Sequence, residues 1–204
     1  MNKKYTISII SILVIIGLLI TTYTFLNSIN PTKNSTSYAI IQTNIGNITI
    51  LLFTDTAPLA TQRFIELAEN NYYNGTIIYR IFPDYAIYGG QYLMNSTLKP
   101  YPYTLLPIET SPKVRHTPGA VSLLRSAEDP TKVGCQFLIC LNNITSLDGK
   151  NTILGTVIQG YDLVQNISEY PHDDQYEDGS GRILNPFDVW IEKIIIQTTL
   201  EPLK

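Results

Sequence analysis

The chain of 204 residues is poor in the groups on which much protein chemistry depends. It has two cysteines, two histidines, two methionines and one tryptophan, and 15% of its residues are charged. Two cysteines cannot staple a disulfide scaffold. Cys135 and Cys140 stand an odd number of positions apart in a strand-like run, so they fall on opposite faces and read as two buried thiols. No cluster with metal-ligand spacing accompanies them, and neither a metal nor any other cofactor is expected. There is no Gly-x-Ser-x-Gly elbow, and neither His116 nor His172 stands in a nucleophile context, which argues against a Ser-His-Asp hydrolase. Without a stripe of lysine and arginine, nucleic acid is not an expected partner. Asp173, Asp174, Glu177 and Asp178 lack the glycine-spaced alternation of a calcium loop and read as a solvated acidic loop.

One absence is positional. No Asp, Glu, Lys or Arg occurs from Tyr5 to Leu26, and the first acidic residue is Asp55. As a helix this stretch would be roughly 33 Å long, against a hydrocarbon core of about 30 Å. Lys3 and Lys4 precede it, which predicts a cytoplasmic N-terminus and an external remainder. A cleaved signal peptide is the competing reading, but the stretch from Thr24 to Ile29 offers no small-x-small cleavage site. The expectation is a single-pass cell-membrane protein: residues 1–27 an anchor touching lipid through 5–26, residues 28–37 a linker containing Pro31. All 17 acidic residues lie beyond position 33, whereas 3 of the 14 basic residues do not, so the outer part is distinctly acidic. One long apolar run excludes a multi-span protein, and a hydrophobic content of 44% excludes intrinsic disorder.

The remainder reads as one domain over 38–198 with a short tail at 199–204. Tyr38–Thr43 and Asn47–Phe53 are β-branched runs around Asn44-Ile45-Gly46, a hairpin signal. Thr56-Ala57-Pro58 opens a helix whose Ala60, Phe64, Leu67 and Ala68 form one apolar face. Strands are predicted at Thr76–Phe82, Tyr85–Tyr88, Ala120–Leu124, Gln136–Leu141, Thr152–Val157 and Phe187–Gln197. In the last, Asp188, Glu192 and Lys193 mark wet positions and Trp190 reads as core. A short helix is predicted at Tyr161–Ile167, and the proline-rich stretch 92–118 is a long surface excursion. Many strands with two short helices predict a mostly antiparallel β fold, a closed barrel.

Six stretches then carry a resemblance. They are Phe64-Ile65-Glu66-Leu67-Ala68; the run from Tyr72 through Arg80 to Pro83; Tyr85 to Gly90; Pro118 to Leu123; Asp129-Pro130 with Gly134 to Ile139; and Leu147 to Val157. In this order and spacing the chain resembles the cyclophilin-type peptidyl-prolyl isomerases from about Tyr38 to Gln197. The resemblance implies a closed eight-stranded antiparallel barrel capped by two helices. It also implies rotation of X-Pro bonds in unfolded or secreted polypeptides to assist folding. The alternative is a non-catalytic Pro-peptide-binding or chaperone-like module on the same scaffold.

The implied site follows position by position. Arg80 matches the family's catalytic arginine, Gln136 its site glutamine, and Leu147 also matches. Other positions differ. The proline-pocket Phe and Met are Tyr85 and Ala86, and the second site glutamine, the amide that normally orients the arginine, is Tyr88. The groove-wall Ala-Asn pair is Leu124-Arg125, the second pocket Phe is Leu138, and the site His is Asn151. Strand alternation places Gln136 and Leu138 on the groove face and Cys135, Phe137 and Ile139 in the core.

Overall fold

The structure is a computed structural model and describes residues 16–17, 36–173 and 180–199. The predicted membrane anchor therefore lies outside the described residues, but for two positions, as does most of the acidic loop. Among the described residues no helix is long and apolar enough to cross a membrane. The chain divides into two units, Met1–Ser35 and Thr36–Lys204, and the second carries the fold.

The fold is mostly β. Its strands are β1 (Ser37–Thr43), β2 (Gly46–Leu52), β3 (Thr76–Phe82), β4 (Ala86–Leu93), β5 (Leu106–Pro107), β6 (Ala120–Arg125), β7 (Lys132–Cys140), β8 (Thr152–Gln159), β9 (Gly181–Arg182) and β10 (Ile191–Gln197). Two helices, α1 (Pro58–Glu69) and α2 (Tyr161–Ser168), complete it. The strands join in the order β10-β1-β2-β8-β6-β7-β4-β3-β9, with β5 beside β7, and every pairing is antiparallel.

This path has two ends, so the structure is an open, half-barrel sheet of ten strands rather than the closed barrel of eight that was expected. The reason lies on the outer edge of β3. Its second half is occupied by β9, with Arg80 opposite Arg182 and Ile81 opposite Gly181. Only the first half faces the β10 side, through a single bridge between Ile77 and Trp190 and the main-chain bonds Ile78 N to Val189 O (3.1 Å) and Gly75 N to Ile191 O (2.8 Å).

Pro58 begins α1, where its missing N–H costs nothing. Ala60, Phe64, Leu67 and Ala68 are buried as predicted. Each of the two larger side chains contributes about 1.5–3 kcal/mol by leaving water. The first free N–H groups of α1 are satisfied from far away: Leu59 and Ala60 donate to the Glu109 carboxylate at 3.1 and 2.8 Å. That contact helps hold the proline-rich excursion, which Arg63 also ties down by donating to Tyr101 Oη (2.9 Å) and Thr104 O (3.0 Å).

The last strand begins at Ile191, later than predicted. Asn185 caps a turn ahead of it, accepting from Phe187 N (3.2 Å) and donating to the Asp188 carboxylate (2.7 Å), so Asp188 is a turn residue and not a strand position. Trp190 is half-buried rather than core.

Alternation along β7 divides the apolar residues into two clusters. Cys135, Phe137 and Ile139 enter the large cluster with Phe64, Leu67, Tyr73 and Ile81. Leu138 and Cys140 enter a smaller one on the other face, with Ala86, Tyr88 and Ile153. The two cysteines are free and lie in different clusters. The Gly89-Gly90 pair is explained by close packing: a Cβ on Gly90 (φ +103°) would lie 2.8 Å from the Cys135 carbonyl and 2.9 Å from the Phe137 ring.

Candidate active site

The smaller cluster is where the predicted site residues gather. A row runs across four neighbouring ladders: Arg80 opposite Tyr88, Tyr88 opposite Leu138, Leu138 opposite Ser122, and Ser122 opposite Ile153. Adjacent strands are about 4.8 Å apart, so the row places a guanidinium at one end, beside the apolar pair Tyr88 and Leu138. Ala86, Tyr88 and Leu138 are buried in the smaller cluster, and Tyr85, Leu124 and Leu147 pack against it half-buried.

Arg80 owes its outward position to a bulge. Ile78 pairs with Gly89 and Arg80 with Tyr88, two residues on β3 against one on β4. A bulge of this kind re-aims side chains. Here Ile78 and Ile81 point into the core while Tyr79 and Arg80, consecutive in sequence, both leave it. The Arg80 Nε donates to Ser180 Oγ at 2.9 Å and Nη2 donates to the same oxygen. The Arg80 Cζ lies 5.2 Å from the centroid of the Tyr88 ring.

Gln136 is held at both ends of its amide. Its Oε1 accepts from the Tyr79 hydroxyl (2.9 Å), and its Nε2 donates to Gln91 Oε1 (2.7 Å). It borders a groove of about 590 Å³ that continues from Leu124 past Tyr101 and Tyr103 to Glu128. Arg125 is exposed on the wall of that groove. Asn151 is buried, and its Nδ2 donates to Leu123 O (3.3 Å), next to Leu124.

Further aromatic residues border this cluster. Phe53, Tyr79 and Phe82 pack on the same cluster as Tyr85 and Tyr88. Phe82 and Tyr85 stack with centroids 4.5 Å apart and planes inclined by 21°. The alternating pattern of β3 already marked Phe82 as outward, a signal available in the sequence.

Beneath the row lies a chain of three polar residues. His116 Nδ1 is 2.9 Å from Asp148 Oδ1, and His116 Nε2 is 3.0 Å from Ser122 Oγ. The order Asp-His-Ser matches a hydrolytic triad, but the burial does not. Ser122 is 0% exposed, His116 is 1% exposed, and the serine hydroxyl donates to Thr152 O at 3.0 Å. No substrate carbonyl can reach that oxygen, so the chain is structural. It fastens Asp148, next to Leu147, to the centre of the row. Two hydrogen bonds from His116, main chain first and then imidazole, hold the Asp148 carboxyl below its ordinary pKa. Burial pushes the Cys135 thiol up to about 11 and the Cys140 thiol up to about 12, so both stay neutral near pH 7. Among the described residues there is no group of three or more His, Cys, Asp or Glu able to hold a metal ion.

Comparison with known proteins gives the family and the fold. Residues 38–189 match the family described as cyclophilin type peptidyl-prolyl cis-trans isomerase/CLD. A peptidyl-prolyl cis-trans isomerase of Acinetobacter baylyi is 32% identical over 162 residues, covering 76% of this chain and 79% of the relative. One of Helicobacter pylori is 32% identical over 128 residues, covering 63% of this chain and 77% of the relative. The crystal structure of a Cryptosporidium parvum cyclophilin type peptidyl-prolyl cis-trans isomerase superposes with a TM-score of 0.66 at 23% identity, covering 81% of this chain and 99% of that one. A second crystal structure of that parasite protein was determined in the presence of the dipeptide Ala-Pro. The chain belongs to the cyclophilin-type peptidyl-prolyl cis-trans isomerases, and is therefore an enzyme of the isomerase class.

Proposed function

We propose that this isomerase acts on X-Pro bonds of unfolded or secreted polypeptides outside the cytoplasm, tethered to the cell membrane by residues 5–26, and assists their folding. The observation that carries the catalytic part is the fixed guanidinium of Arg80 at one end of an apolar strip formed by Tyr88 and Leu138. Rotation about an X-Pro amide is slow because the C–N bond has partial double-bond character, with a barrier of about 18–20 kcal/mol. As the amide twists, the prolyl nitrogen regains its lone pair. A donor aimed at that nitrogen binds the twisted state better than either planar one, which is what lowers the barrier. Arginine suits the task, since it stays charged and presents a rigid fork of donors. Leu138, Ala86 and Tyr85 offer the proline ring an apolar floor, and the Gln136 amide is set to hold a main-chain group on the acyl side. No nucleophile or proton transfer enters this scheme.

The peptide class is supported by the Ala-Pro dipeptide present with the structural relative. The extracytoplasmic placement is supported by the uncharged run from Tyr5 to Leu26 behind Lys3 and Lys4. A protease-coupled assay on an Ala-Xaa-Pro-Phe peptide series checks the activity. The full chain in mild detergent is expected to raise the cis-to-trans rate in proportion to enzyme concentration, and tight peptide binding without acceleration would select the non-catalytic module instead. For location, protease added to intact cells is expected to digest the domain. Full protection of the domain would overturn the extracytoplasmic assignment.

A further inference from the structure

We propose that Ser180 is a positioning residue for Arg80, in the role that the family resemblance gives to an amide at position 88. The inference rests on the catalytic reading of Arg80 given above. A long arginine side chain carries about 2 kcal/mol of rotamer entropy, and as a donor it is useful only if its fork is aimed before the substrate arrives. Tyr88 presents its ring to the guanidinium, with Arg80 Cζ 5.2 Å from the ring centroid. Ser180 supplies an acceptor oxygen at the guanidinium edge. Both Nε and Nη2, the two donors along one edge of the fork, converge on its Oγ. Ser180 is 0% exposed, so water does not compete for this acceptor. The Tyr88 ring then covers one face of the guanidinium. A hydroxyl aims the fork without itself carrying a negative charge.

The backbone that carries Ser180 is pinned for this purpose. Gly181 pairs with Ile81 and Arg182 with Arg80; the same register carries Ser180 level with Phe82, diagonal to Arg80 on the same face of the ladder. On its other side, Arg182 N donates to the Asp173 carboxylate at 2.7 Å and Asp173 N donates to Arg182 O at 2.9 Å. The strand and the Asp173 main chain approach so closely that any Cβ at position 181 would overlap the Asp173 carbonyl, which accounts for glycine there. Serine at 180 and glycine at 181 thus form one device, a short strand whose function is to deliver a single oxygen to Arg80.

The test uses the full chain in mild detergent, with Ser180→Ala and Ser180→Thr compared with wild type. Loss of the oxygen is expected to lower kcat by about tenfold to 150-fold, the weight of one hydrogen bond to a charged group, while KM for an Ala-Pro peptide stays within about twofold. Threonine keeps the oxygen and is expected to recover most of the rate. A spectroscopic readout is independent of turnover: the Arg80 Nε–H cross-peak, assigned by its loss in Arg80→Ala, should exchange slowly in wild type and in Ser180→Thr. It should broaden in Ser180→Ala. Wild-type kcat and an unchanged cross-peak in Ser180→Ala would overturn the assignment, as would a fast-exchanging cross-peak in wild type should Ser180→Ala fail to fold. Absence of turnover in wild type, with the cross-peak behaving as described, would count against the catalytic reading and leave Ser180 as the residue that fixes Arg80.

Discussion

Replacing His116 by alanine isolates the buried Asp148–His116–Ser122 chain. The magnitude can be worked from its contacts. The imidazole makes one hydrogen bond to a carboxylate, worth about 1.5–3 kcal/mol, and one to a neutral hydroxyl, worth about 1 kcal/mol. Two features limit the loss. Ser122 keeps its bond to Thr152 O, and Asp148 keeps the main-chain N–H of residue 116 at 2.9 Å, so neither partner is left orphaned in the interior. The emptied ring space adds a cavity cost. The expected destabilisation is about 3–4 kcal/mol, which for a domain of this size lowers Tm by roughly 6–16 °C. Thermal and denaturant unfolding followed by circular dichroism measure it. A loss below about 1 kcal/mol would refute the claim that this chain fastens the Leu147 segment to the central row.

The remaining predictions concern titration. Asp148 titrates below its unfolded value in the folded state, so its stabilising contribution is complete above about pH 5 and disappears as pH falls through the folded pKa. Asp148→Asn should therefore flatten the acid limb of the Tm–pH curve relative to wild type, and parallel limbs would contradict it. The two thiols, held up at about 11 and 12, should resist iodoacetamide at pH 8 and react on unfolding in denaturant. Their raised folded values also mean that stability is lost above about pH 9, where the unfolded chain begins to release those protons.

Much of the fold is legible in the residues because it depends on short-range periodicity. The hairpin at Gly46, the apolar face of α1 and the bounds of β3 follow from neighbours within a few positions. Two-residue alternation likewise separated Gln136 and Leu138 from Phe137. What escaped depends on partners distant in sequence. Glu109 caps a helix 50 residues away, and Ser180 meets an arginine 100 residues away; neither carries a local mark. The bulge at Tyr79 is a relation between two strands, so no reading of β3 alone reveals that Tyr79 and Arg80 share a face. For the same reason the packing of Phe53 and Tyr79 on the cluster that holds Tyr85 and Tyr88 is not marked locally. The open seam also follows from long-range competition, with β9 occupying an edge that a simple barrel would give to β10.

The central claim is that Arg80 lowers the barrier to X-Pro rotation by donating to the twisted amide. Proline exchange spectroscopy by NMR on a short Ala-Pro peptide, with wild-type chain and Arg80→Ala at equal concentration, tests it most directly. Cis and trans signals should exchange at least about 10²-fold faster with wild type than with the variant, while the peptide still perturbs resonances around Leu138 in both. Equal exchange rates for the two proteins would contradict the account.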